Sequence, residues 1–203
     1  SEKAWPDAQK YWLSSTSLPN ACDDVYVYYQ AHKNLTQEDI WQRFNLAFVK
    51  NKQGLMRFLT ARMDKDKAAL ATQLYELHKD PKSLLDSDLF SSRKAQSYRF
   101  LVPSIKRLAR KDLAKAMQAY QQFDSKVAST ANENLAIKKQ FATLIVQRDK
   151  TNYFSWLDKE LPSLKNASLV EQRIRYAIKR SDWENIGYWL TKLPDEKRYS
   201  SAW

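Results

Sequence analysis

Apolar residues recur along this chain at intervals of three and four, the spacing that lines one face of an α-helix. From Thr36 they fall at Ile40, Phe44, Ala47 and Phe48, and then at Leu55, Phe58 and Leu59. The spacing returns at Leu113, Ala116, Met117 and Tyr120, and again at Ile137, Phe141, Leu144 and Ile145. Two more sets follow, Val170, Ile174, Ala177 and Ile178, then Trp183, Ile186 and Leu190. The pattern predicts helices of about 10–16 residues, too short to hold in water alone, so stacking must stabilise them.

Start and stop signals agree with this reading. Thr36 with Asp39, and Ser168 with Glu171, have capping-box spacing. Asn20, Asp112, Asn152 and Asp182 are expected N-caps. Pro81, Pro103, Pro162 and Pro194 fall at apparent ends or first turns, where a missing N–H costs little. The polar stretches 79–92 and 125–134 read as long loops between helices.

Some helices carry apolar residues off the main stripe: Trp41 and Leu46, Tyr188 and Trp189. A wide apolar arc is covered on two sides, as in a layered array. Gln42-Arg43-Phe44-x-Leu46-Ala47-Phe48 is echoed by Gln172-Arg173-Ile174-x-Tyr176-Ala177-Ile178. Each copy leads after a polar break into a second helix, and a weaker copy starts at Leu108. Candidate helix pairs begin near Thr36, Asp66, Asp88, Glu133 and Ser168, with steps of roughly 25–45 residues. The expected fold is all-α, a right-handed superhelix or solenoid of stacked helical hairpins, over a single domain spanning residues 1–203. A compact helical bundle is the alternative.

Composition narrows the choice. The 203 residues include only two glycines. Hairpin turns of the primed types, phosphate-cradling loops and nucleophile elbows all draw on glycine, so all-β, nucleotide-binding α/β and Ser-hydrolase folds are disfavoured. Lys plus Arg number 34 against 23 for Asp plus Glu, a net charge of +11. That balance suits an anionic partner, whether nucleic acid, an acidic envelope polymer or a membrane face, and equally suits plain solubility. No apolar run reaches the ~18 residues of a membrane span. The chain starts at Ser1-Glu2-Lys3, without an initiator Met or a signal sequence, and reads as a mature or trimmed piece.

Candidate chemistry is sparse. His32 and His78 are expected near helix ends, where a cation complements the dipole, and with one cysteine they are too few for a zinc site. Glu38, Glu133, Glu171, Glu184 and Glu196 are expected in first helical turns, and no glutamate has the apolar setting of a catalytic acid. The acidic pairs at 23–24, 64–66 and 86–88 lack the glycine of a calcium loop. No catalytic residue, metal site or cofactor is expected. Cys22 is a buried thiol or half of a bridge whose partner lies outside the chain. The aromatic run Val25-Tyr26-Val27-Tyr28-Tyr29 is more than one short helix can bury.

Two segments read together suggest parentage. Lys10-Tyr11-Trp12-Leu13 is followed by Leu18-Pro19-Asn20-Ala21-Cys22-Asp23. Ala167 to Ala177, with the sequence ASLVEQRIRYA, is continued by Trp189-Leu190-Thr191-Lys192-Leu193-Pro194. Both resemble the N-terminal helical superstructure of the soluble lytic murein transglycosylases of Gram-negative bacteria. The middle of the chain fits by helix spacing and by patterns such as Val102-Pro103-Ser104-Ile105. The resemblance implies a periplasmic parent that cleaves the β-1,4 bond between N-acetylmuramic acid and N-acetylglucosamine, leaving a 1,6-anhydro sugar. It places the catalytic glutamate in a lysozyme-like C-terminal domain. That domain's Glu-Ser pair, Gly-Leu-Met-Gln turn and Ala-Tyr-Asn-Ala-Gly segment are not found here, and Gly54-Leu55-Met56-Arg57 is a chance partial match inside a helix. It also implies that Cys22 pairs with an earlier cysteine outside this chain.

On that basis the chain is expected to be inactive alone. It would support the catalytic domain of the same parent and guide peptidoglycan strands along a basic face. Arg43, Lys106, Arg107, Arg110, Arg173 and Arg175 are the candidates for that face, with solvated outer residues as the alternative reading. A nucleic-acid-binding repeat, the less favoured partner class, and a protein adaptor are the competing functions.

Overall fold

A computed structural model of the chain describes residues 5–16, 22–32, 35–90, 96–127 and 131–199. Every regular element among them is helical. The α-helices are α1 (Trp5–Trp12), α2 (Asp23–Ala31), α3 (Gln37–Val49), α4 (Gln53–Thr60), α5 (Lys65–Lys79), α6 (Leu101–Lys111), α7 (Leu113–Val127), α8 (Ala131–Gln147), α9 (Phe154–Leu164), α10 (Ala167–Lys179), α11 (Trp183–Leu190) and α12 (Asp195–Arg198). Short 3-10 segments cover Pro81–Asp86, Asp88–Phe90, Gln96–Phe100 and Thr151–Tyr153. The expected all-α architecture of helical hairpins is the one observed. The chain divides into two compact units, Ser1–Leu108 and Ala109–Trp203.

The sequence echo is a structural repeat. Helices α3 and α10 each have 13 residues, and α4 and α11 each have 8. The connections are built alike. After α3 the Lys52 N–H donates to the Ala47 carbonyl at 2.8 Å and the Asn51 N–H to Phe48 at 3.2 Å. After α10 the Asp182 N–H donates to Ala177 at 3.0 Å and the Ser181 N–H to Ile178 at 3.0 Å. This pair of bonds is the Schellman closure, which satisfies the last carbonyls of a helix and needs a left-handed residue just beyond it. Glycine is the usual occupant, but here Asn51 (φ 60°) and Ser181 (φ 54°) take the position. Asp149 (φ 51°) does the same after α8, where Lys150 bonds to Ile145 at 2.9 Å. Lys165 (φ 48°) turns α9 directly into α10. A chain so poor in glycine therefore makes its reversals with strained non-glycine residues.

In the first unit α3 is the organising helix. Its N-terminus carries a complete capping box. The Thr36 hydroxyl accepts from the Asp39 N–H at 3.2 Å, and Asp39 Oδ2 accepts from the Thr36 N–H at 2.8 Å. Its apolar face holds an aromatic cluster. Trp41 stacks on Phe44 at 5.5 Å, and Phe100 meets Trp41, Phe44 and Phe48 edge-on at 5.6, 6.0 and 4.8 Å. His78, in the last turn of α5 as expected, is buried edge-on to Phe48. His32 stands at the end of α2, with Nδ1 2.8 Å from the Tyr28 carbonyl.

In the second unit α8 carries the buried stripe Ile137, Phe141, Leu144 and Ile145, as its spacing predicts. Phe141 packs edge-on to Tyr120 and Trp156.

Several local expectations are corrected. Ser168 does not cap α10: Asn166 does, accepting from the Leu169 N–H at 3.3 Å. Ser168 is thus the second helical residue, and Glu171 lies beyond the first turn. Asn152 sits inside the 3-10 turn before α9 and caps nothing there; Tyr153 precedes α9 with no side-chain bond. Asp112 and Asp182 do cap, accepting from the N–H of Lys115 at 3.0 Å and of Asn185 at 3.3 Å. Asn20 lies outside the described residues. The expected loop at 125–134 is mostly helix, because α7 runs to Val127 and α8 starts at Ala131. Much of 79–92 is wound into 3-10 turns, started by Asp80 and Pro81. Trp183, expected on the buried stripe of α11, is 75% exposed, and Trp189 is buried instead.

Candidate functional site

The six basic residues expected on one face occupy different environments. Arg43 and Arg173 are buried, at 3% and 4% exposure, so neither lies on an open surface. The spacing explains it: Arg43 falls three residues after Ile40 and four before Ala47, and Arg173 stands in the same relation to Val170 and Ala177. Both are on the apolar face by arithmetic alone. Their aliphatic stems pack inward and their guanidiniums lie against rings, Arg43 4.2 Å from Trp12 and Arg173 4.8 Å from Phe154.

Arg107 is half-buried and acts as a staple within the first unit. Nε donates to the His78 carbonyl at 2.7 Å, and Nη1 donates to Asn51 Oδ1 at 2.8 Å. It thereby ties α6 to the end of α5 and to the α3–α4 turn. Lys106, on the same helix, is half-buried. In the second unit Arg110 and Arg175 present exposed side chains, and the Arg110 carbonyl accepts from Arg148 Nη2 at 2.7 Å. Cys22 is half-buried just before α2.

The first unit carries a concavity between its N-terminal helices. It is a recess of roughly 360 Å³ walled by α2, α3, α4 and the end of α1. Trp12, Tyr26, Leu55 and Phe58 supply its apolar and aromatic surface; Arg43 and Arg62 bring cationic groups and Asp23 an acidic one. The aromatic run at 25–29 feeds it: Tyr26 and Tyr29 are buried, whereas Val25, Val27 and Tyr28 remain exposed. Trp12 meets Tyr26 at 4.6 Å. Arg62 lies 3.5 Å above Phe58 and donates to its carbonyl at 3.0 Å. Burial raises the Tyr26 hydroxyl above its ordinary value and lowers the Arg43 guanidinium below its own. Sequence reasoning did not single out Phe58 and Arg62, since one reads as core and the other as a turn residue.

A smaller recess of roughly 280 Å³ in the second unit is lined by Lys111, Arg148, Lys150 and Tyr153 beside Asp112. The Asp112 carboxylate is engaged in capping α7. Among the described residues no group of His, Cys, Asp and Glu is arranged to hold a metal, and no helix is long and apolar enough to cross a membrane. Glu38, Glu76, Glu184 and Glu196 are exposed, and Glu133, Glu160 and Glu171 are half-buried. Glu160 and Glu171 are ion-paired with Lys138 and Lys197.

No family model matches the sequence. Along its whole length the chain is 24% identical to the soluble lytic murein transglycosylase of Escherichia coli strain K12, and likewise to that of Salmonella typhimurium strain LT2. It spans about a third of the length of these relatives, 32% in each case. The solved structure of a 70-kDa soluble lytic transglycosylase in complex with bulgecin A superposes on all of this chain and 33% of that one, with a TM-score of 0.80 at 23% identity. An inactive variant of the Pseudomonas aeruginosa lytic transglycosylase Slt matches 99% of the chain with a TM-score of 0.72 at 23% identity. The chain is thus similar to a partial, all-helical region of the soluble lytic murein transglycosylases.

Proposed function

We propose that this chain is a helical scaffold region of a lytic murein transglycosylase, itself without a glycan-cleaving site. It would support the catalytic domain of the same parent protein and guide peptidoglycan strands to it in the periplasm. The parent's reaction would be cleavage of the β-1,4 bond between N-acetylmuramic acid and N-acetylglucosamine to 1,6-anhydro products. The supporting observation is that sequence and fold both match the relatives along the entire chain yet over only about a third of their length. The carboxylates fit a supporting role, since those of Asp39, Asp112 and Asp182 cap helices and those of Glu160 and Glu171 pair with lysines. The net charge of +11 complements a polymer bearing lactyl and peptide carboxylates. For Cys22 the reading is a bridge to a cysteine outside this chain.

The test is a murein-gel zymogram paired with co-sedimentation on purified sacculi. The chain should leave the gel uncleared while sedimenting with sacculi at low salt and releasing as salt is raised. Clearing of the gel, or no retention on sacculi at any salt, would overturn the proposal.

A further inference from the structure

The two echoed hairpins supply an internal comparison. Arg43 and Arg173 occupy the same repeat position, are equally buried, and each lies against an aromatic ring. Arg173 has a counter-charge: Nε donates to Asp158 Oδ1 at 2.8 Å and Nη2 to Oδ2 at 2.9 Å. Arg43 has none within ion-pairing distance among the described residues. Its Nε donates to the Ser14 carbonyl at 3.3 Å and its Nη2 to the Thr16 carbonyl at 3.1 Å.

The acids near Arg43 are otherwise engaged or too distant. Asp39, one turn earlier on α3, accepts from Thr36 and from Gln9 Nε2. Asp23 lines the same recess and influences Arg43 electrostatically without forming an ion pair with it. Nη1 of Arg43 donates to no described group, and the residue forms part of the wall of the 360 Å³ recess. A guanidinium withdrawn from water needs a planar acceptor, and two carbonyls leave its charge unbalanced. Arg62 stands at the same recess, and Tyr26, Leu55 and Phe58 give it an apolar floor.

We propose that this recess binds a small carboxylate ligand, with the carboxylate on Arg43 and Arg62 and the ligand body against Tyr26, Leu55 and Phe58. The ligand supplies to Arg43 what Asp158 supplies to Arg173. The volume is that of a small-ligand pocket, with room for about a dipeptide or one sugar ring. Two sources share the chemistry, a peptide ending in a free carboxylate and an amino sugar bearing a lactyl carboxylate. The geometry of the first unit carries the carboxylate site itself, while the choice of the lactyl amino sugar as one source rests on the murein reading proposed above.

The experiment is a calorimetric or NMR titration of the full chain with two matched pairs. One is alanyl-alanine against its C-terminal amide; the other is N-acetylmuramic acid against N-acetylglucosamine. At least one acid should bind at least tenfold more tightly than its neutral partner, and which one does identifies the source. Arg62→Gln, at an exposed position, should weaken that binding about tenfold, the effect of losing a charge-assisted contact, without moving the melting temperature. Phe58→Ala should weaken it as well. The proposal is overturned if neither acid binds at concentrations up to about 10 mM. It is also overturned if both neutral partners bind as well as the acids, or if Arg62→Gln leaves the affinity unchanged. Arg43→Gln is not the primary variant, because Arg43 also holds the Ser14 and Thr16 carbonyls. Retained sacculus binding with failed dipeptide and sugar titrations would sink this site and leave the scaffold reading standing.

Discussion

Arg173 and Asp158 face each other through two near-equal bonds, 2.8 Å from Nε and 2.9 Å from Nη2, joining α10 to α9. The arginine side chain is 5% exposed and the carboxylate 31%. The pair is therefore asymmetric: removing the acid strands a buried cation, whereas removing the cation leaves an acid that water can reach. Asp158→Asn is expected to cost about 2–3 kcal/mol and Arg173→Met about 1–2 kcal/mol, with a coupling of more than 1 kcal/mol in the double-mutant cycle. Urea denaturation of the four proteins checks this. Equal costs would contradict the asymmetry, and no coupling would show that the pair itself carries no net energy.

The reversals at Ser181 and Lys165 offer a test with the opposite sign. A non-glycine residue in the left-handed region carries a conformational cost of about 1–2 kcal/mol, part of which glycine returns as greater freedom in the unfolded chain. Ser181→Gly and Lys165→Gly should each stabilise by about 0.5–1 kcal/mol, raising the melting temperature by about 2–4 °C per kcal/mol in a chain of this size. Asn51→Gly should gain less or nothing. Asparagine tolerates the left-handed region better, and its Oδ1 would no longer hold Arg107. A thermal melt that ranks Asn51→Gly highest would refute the argument.

Much of the helical framework was legible because one face of each helix is repeated at a fixed period. The stripe on α8, the capping box at Thr36 and the hairpin echo could all be read from spacing. What failed was decided by residues whose two possible roles share one local pattern. Ser168 and Asn166 both precede an apolar run, and only backbone geometry makes Asn166 the cap. Trp183 and Trp189 both suit a buried face, yet α11 turns Trp189 inward. Charge alone puts Arg43 and Arg173 with the surface bases, whereas their register with Ile40 and Val170 puts them on the inner stripe, where both are buried. The recess has no signature in the sequence because its walls come from four separate elements, and no short motif records such an assembly.

Asp39 anchors more than its own helix. Its carboxylate closes the capping box and accepts from Gln9 of α1, while its carbonyl accepts from Trp12 Nε1 at 3.2 Å. Asp39→Ala should cost about 2–3 kcal/mol, more than the ~1 kcal/mol of an isolated cap, because a bond from another helix is lost with it. Thr36→Ala should cost about 1 kcal/mol. Hydrogen exchange on Asp39→Ala would show faster opening in α1 and the first turn of α3 than in α5. Uniform acceleration through the first unit would contradict the local role.

Alkaline stability provides the last test. Burial, aided by Cys22, raises the Tyr26 hydroxyl above its ordinary value of 10.0, with the Arg43 charge opposing. An acid whose folded value is raised binds its proton longer in the folded state than in the unfolded one. Its stabilising contribution is full below the unfolded value near pH 10 and is lost as pH climbs through the folded value. Tyr26→Phe removes that titration. Stability measured by denaturation between about pH 9 and 11 should fall less steeply in the variant than in the parent chain, while the two run parallel at neutral pH. If the two curves stay parallel above pH 10 as well, Tyr26 ionises alike in the folded and unfolded chain, and the recess is more hydrated than its walls imply.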